Sequence, residues 1–139
     1  MKWAVFPFLL ILAGCGDLAE LPTAPGGSDP IDPNATLTRV QNEIFTPTCA
    51  VAGCHDPTFQ QSQLVLSAGR SYAQIVNVVS VELPQLARIA PNDPASSYLY
   101  RKITGEGITG DRMPQANPPL SDAQTRLVRD WIRRGAPND

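Results

Sequence analysis

Cys49-Ala50-Val51-Ala52-Gly53-Cys54-His55 is the stretch from which the rest of this 139-residue chain is read. Two thiols close together, with an imidazole directly after the second, form the arrangement that holds c-type haem. Each thiol can add across one haem vinyl group to give a thioether. The adjacent histidine then stands where a ring nitrogen can reach the iron. The common spacing has two residues between the cysteines, and this chain has four, which widens the loop without forbidding the chemistry. Two other readings of the heptapeptide stay open. In an oxidising compartment Cys49 and Cys54 can close a small disulfide loop. They can also join His55 at zinc, but a structural zinc site takes four ligands. The chain has one histidine and one further cysteine, Cys15, so the fourth ligand would have to be a carboxylate such as Asp56.

The start of the chain gives the compartment. Residues 1–14 read as a signal peptide: Lys2, then an apolar run from Trp3 to Leu12, too short to span a bilayer, then small residues. The run closes in Leu12-Ala13-Gly14-Cys15, which resembles the lipobox of bacterial lipoproteins. That resemblance implies a lipidated Cys15 as the first mature residue, and two or more acyl chains anchor stably. An ordinary secretory leader with an incidental cysteine is the alternative. The protein is therefore expected outside the cytoplasm, lipid-anchored to the membrane. Gly16 is not the aspartate often linked to inner-membrane retention, which leans towards the outer membrane. Residues 15–35, rich in Pro, Gly and Asp, lack periodicity and read as a disordered tether.

Residues 36–139 form the single domain. The formal charge of the whole chain is −2, and nothing in the sequence points to nucleic acid. Acidic residues crowd the first part, whereas Arg126, Arg129, Arg133 and Arg134 stripe the last helix. The expected class is all-α, about four short helices with long loops. Leu37, Val40 and Ile44 fall on one helical face after Thr36 as cap, and Pro47 is expected to block continuation. Residues 56–69 read as loop, with Leu64 and Leu66 covering the haem. A second helix is predicted from Arg70 to Val79, burying Tyr72, Ile75, Val76 and Val79. Val81 to Pro91 reads as extended or irregular. A third helix is expected from Asp93-Pro94, with Leu99 and Ile103 inward, ending at Gly105. After a Gly- and Pro-rich loop, Ser121 and Gln124 form a capping box for a last helix. That helix buries Leu127, Val128, Trp131 and Ile132, turns its arginines outward and stops at Gly135. So thin a core lacks apolar filling, which a buried porphyrin supplies and a disulfide does not.

Iron held by His55 needs a ligand on its other face. A second histidine is absent, and Met113 is the only methionine left once the leader with Met1 is removed. Its neighbours Asp111, Arg112 and Pro114 suit a core position poorly, which favours the thioether as distal ligand over a core gap-filler. Lys102 is the remaining conceivable donor.

Taken together, Ile-Phe-x3-Cys49, Cys54-His55-Asp56, Asp93-Pro94-x2-Ser97-Tyr98-Leu99, Arg112-Met113-Pro114 and Trp131-Ile132-x2-Gly135-Ala136 resemble the small mono-haem cytochrome c domains of class I. The likeness is greatest to the c-type domains of bacterial lipoproteins, and it covers about residues 36–137. The four-residue spacing departs from class I usage, although it occurs in multihaem c-type cytochromes. The resemblance implies one covalent haem c, with Cys49 and Cys54 as thioether attachment points. It implies His55 and Met113 as axial ligands to the iron, and a crossing of first and last helices that brings Ile44 or Phe45 near Trp131. With both axial positions filled no site remains for substrate. The expectation is an electron carrier between redox partner proteins, and neither an enzyme nor a binder of small-molecule substrate. The competing classes are a structural or binding lipoprotein with a Cys49–Cys54 disulfide, and a haem-based sensor or small-ligand binder in which Met113 is labile or unbound.

Overall fold

The computed structural model describes residues 29–115 and 117–139. The leader at 1–14, the lipidation site at Cys15 and the tether as far as residue 28 lie outside the described residues. Four α-helices follow one another: α1 (Leu37–Val40), α2 (Ser71–Ile75), α3 (Tyr98–Thr104) and α4 (Asp122–Arg133). A π-helical stretch, Gln41–Cys49, prolongs α1, and Gln61–Gln63 makes one 3-10 turn. Among the described residues there is no β-strand, only isolated bridges such as Val76 with Ile89 and Val79 with Ala87. The helical class therefore agrees with the expectation.

Local signals set the two helices that organise the core. The Thr36 hydroxyl accepts the Arg39 amide at 3.1 Å and opens α1. At α4 the Ser121 hydroxyl accepts the Gln124 amide at 3.2 Å, and the Gln124 side chain accepts the Ser121 amide at 3.0 Å, completing the capping box. Gly135, at φ +93°, ends that helix in the left-handed region a side chain resists. The helices α1 and α4 pack together, and α3 packs on α4. Val40, Val128, Trp131 and Ile132 are completely buried between them, with Ile44 and Phe45 at the same cluster. The Trp131 indole donates to the Pro137 carbonyl at 2.9 Å, so its one polar atom is satisfied.

Four expectations need correction. Pro47 does not stop the first helix, because the chain winds on through it to Cys49. A proline has no N–H to donate, so in the π-helical register the carbonyl left without its backbone donor is that of Asn42. The helix predicted over 70–79 is only Ser71–Ile75. Val76 is already extended at ψ 121°, bridged to Ile89, and Val79 is 61 % exposed instead of buried. The third helix begins at Tyr98, not at Asp93-Pro94. Asp93 closes a turn by accepting the Ser96 amide at 3.0 Å, while the Ser97 hydroxyl bonds to Ala90 and Asp93 and holds the chain out of helix.

The last correction concerns the arginines, of which only Arg126 is exposed. Arg129 pairs with Asp130 at 2.9 Å and Asp29 at 3.6 Å, and Arg134 pairs with Asp139 at 3.2 Å. Residues 29–35, grouped by composition with the tether, are drawn onto α4 by these contacts. The Asp32 amide donates to Asp130 at 3.2 Å, and Ala35 is fully buried.

Candidate functional site

The π-helical stretch delivers the chain to Cys49, and the next residues turn back on it. The Cys54 amide donates to the Val51 carbonyl and the His55 amide to the Cys49 carbonyl, each at 3.1 Å. Gly53 takes φ +85° within this turn with open space where a Cβ would stand, so backbone conformation alone asks for glycine there. The four-residue loop thus folds His55 back against the end of the helix that carries Cys49.

Cys49, Cys54, His55 and Met113 all line one cleft of about 610 Å³. That volume lies within the roughly 300–1,000 Å³ of pockets that bury cofactors and other small ligands. Its apolar wall is the open side of the core: Ile44 and Phe45, Leu66, Leu99 and Ile103 of α3, Leu120, and Val128 of α4. Leu64 and Leu66, expected to cover this space, both line it. The two sulfurs are not bonded to each other. Burial, reinforced by Cys54 nearby, pushes the Cys49 thiol up to about 12, so it stays protonated at neutral pH. Among the described residues no three His, Cys, Asp or Glu side chains are grouped as a metal-binding set.

His55 is held in one tautomer. Its Nδ1 lies 3.1 Å from the Gln61 carbonyl oxygen. A carbonyl only accepts, so Nδ1 carries the proton and Nε2 of the neutral ring keeps its lone pair. Burial lowers the pKa of His55 against the opposing pull of that hydrogen bond, which favours the neutral, metal-binding form. Met113 sits half-buried on a loop fixed to α3: its amide donates to the Lys102 carbonyl at 2.8 Å, and Arg112 Nε donates to the Ile103 carbonyl at 2.8 Å.

Lys102 lines the same cleft but is engaged. Its Nζ lies 3.2 Å from Glu82 Oε2 and donates to the Thr109 carbonyl at 3.0 Å. Glu82 also accepts from Ser62 at 2.8 Å and Tyr98 at 2.9 Å. Burial would raise its carboxyl, but these donors outweigh burial and hold it below the usual carboxylate range. Glu82 and a buried Arg88 are cleft residues that the sequence did not single out, and Tyr98 stood out only within the Ser97-Tyr98-Leu99 turn. The one available signal was Arg88 itself, a charge set inside the apolar run Leu86-Ala87-Arg88-Ile89-Ala90.

Comparison of the chain with protein-family models, curated proteins and solved structures gave no match in any of the three.

Proposed function

We propose that this chain is a membrane-tethered c-type cytochrome carrying single electrons between extracytoplasmic protein partners. The observation that carries the reading is that Cys49, Cys54, His55 and Met113, chosen from sequence for their chemistry, line one apolar cleft of cofactor size. The donor set fits haem. The thiols of Cys49 and Cys54 would hold the haem as thioethers, each S–H adding across one vinyl C=C with nothing oxidised or reduced. His55 offers Nε2 from a ring fixed at Nδ1, and Met113 offers its thioether sulfur. Haem bound there supplies ferric–ferrous exchange of one electron, and the methionine sulfur favours the ferrous state.

The remaining residues keep this chemistry to electron transfer. With both His55 and Met113 as ligands, the iron would have no place left for a substrate. Ile44, Phe45, Leu66 and Leu99 exclude water and replace it with apolar contact. The lipid anchor at Cys15 and the cytochrome c domain belong to the same proposal. Among the described residues no helix is long and apolar enough to cross a membrane. The test is the visible spectrum and mass of protein made alongside haem-attachment machinery. Covalent haem that survives acid–acetone extraction is expected. Colourless protein without the mass of haem would overturn the reading in favour of a structural or binding lipoprotein.

A further inference from the structure

Gln61 and Ser62, on the cleft wall, belong to a segment whose backbone is strained. Gln60, Ser62 and Gln63 have φ +47°, +54° and +54°. Residues other than glycine seldom occupy this region, and three within four positions persist only under outside restraint. Two side chains provide it. Ser62 Oγ donates to Glu82 at 2.8 Å, and Arg88 Nη2 donates to the carbonyls of both Ser62 and Gln63 at 3.1 Å. Arg88 Nη1 donates to the Gln74 carbonyl at 2.9 Å, anchoring the guanidinium behind the strap. Arg88 is 7 % exposed, and no carboxylate among the described residues pairs with it. A charge so placed is costly, and here its donors go to the backbone of a loop. Directly before the two strap carbonyls it grips lies Gln61, whose carbonyl oxygen accepts the hydrogen bond from His55 Nδ1 at 3.1 Å.

We infer that Arg88 is a positioning residue: its guanidinium locks the 60–63 strap so that the Gln61 carbonyl holds His55 in the tautomer that leaves Nε2 as donor atom. The inference rests on the proposed role of His55 as haem ligand. Arginine suits the task because its planar fork spans carbonyls on two segments at once. Lysine keeps the charge and loses the fork.

Because His55 is the only histidine in the chain, histidine labelled with ¹⁵N reports on this ring alone in untagged protein. The measurement is exchange of the Nδ1 proton with solvent, in haem-loaded wild type, Arg88→Lys and Arg88→Met. In both variants exchange should be about tenfold faster, the factor corresponding to one net hydrogen bond. Arg88→Lys, with its charge retained, should also show a higher reduction potential, since an imidazole that loses this bond is a less basic ligand. A merely structural role would leave both readouts unchanged in variants that still fold. If the variants fail to fold, wild type alone decides. Labelled Arg88 guanidinium protons should exchange together with the His55 proton, because one opening of the strap releases both. Exchange in the variants as slow as in wild type, or in wild type a His55 proton far faster than those of Arg88, would overturn the role. The exchange measurement is repeated on the three proteins made without haem, where the same ordering is expected. A colourless wild type would therefore count against the proposed function alone, and unaltered exchange against the positioning role alone.

Discussion

The two halves of the domain are built by different means. Around α1 and α4 the chain closes on itself: Val40, Val128, Trp131, Ile132 and Ala136 have no exposed surface, and both helices carry side-chain caps. Around the cleft, one wall is loop, held by polar bonds among Ser62, Glu82, Arg88 and the α3 residues Tyr98 and Lys102, with strained backbone at Gln60, Ser62 and Gln63. Ile44 and Phe45 belong to both halves, facing the core cluster and also lining the cleft. Apolar burial fixes the first half without help. In the second, a protein interior normally packed without large voids is left with a space of about 610 Å³. On the proposed function, the contrast makes the cleft the part of the fold that haem would finish.

The largest effect is expected where the closed half is opened. Trp131→Ala removes a fully buried indole and should cost ~3–5 kcal/mol in chemical denaturation, with or without haem. A cost below about 1 kcal/mol would break the contrast between the halves. Removing haem should act on the other half. In chain made without attachment, amide exchange should quicken across residues 56–68 and 105–119 and stay slow within α4. Equal quickening in both halves would contradict that division.

Met113→Ala should be smaller in stability and clear in chemistry, since the residue is only half-buried. The potential should fall, the near-infrared charge-transfer band implied by the family resemblance should vanish, and added imidazole should bind at the vacated position. Persistence of that band would pass the distal role to another group, with Lys102 next in reach of the cleft.

The smallest effect is electrostatic. Glu82 is held below its ordinary 4.5, so its contribution is fully present above that pH and is lost as pH falls through the lowered native value. Glu82→Gln should flatten this acid loss by ~1 kcal/mol or less, as expected of a partly exposed pair. A wild-type acid slope matched by the variant would remove Glu82 from the account.

What was legible in the sequence was local. Thr36, Ser121 with Gln124, Gly105 and Gly135 act on backbone groups within a few residues, so spacing alone identifies them. Asp93-Pro94 carries an equally good local signal, yet the helix starts at Tyr98 because Ser97 binds back to Ala90. Val79 fits a helical pattern, yet the chain leaves helix at Val76 to bridge Ile89. Cys49, Cys54, His55 and Met113 stood out because their chemistry is rare in this chain, and they line one cleft. Glu82 and Arg88 were not, since the partners that give them meaning lie far off in sequence; for Arg88 one is the Gln63 carbonyl, 25 residues away.

Covalent haem at Cys49 and Cys54 is read most directly from the pyridine haemochrome spectrum and mass of four proteins: wild type, Cys49→Ala, Cys54→Ala and the double variant. Wild type should hold haem through two thioethers, and each single variant through one, with a shifted haemochrome band. The double variant should hold none after acid–acetone extraction, while α4 remains helical because its caps and its buried Trp131 and Ile132 do not line the cleft. Covalent haem in the double variant, or none in wild type made with the attachment machinery present, would contradict the assignment.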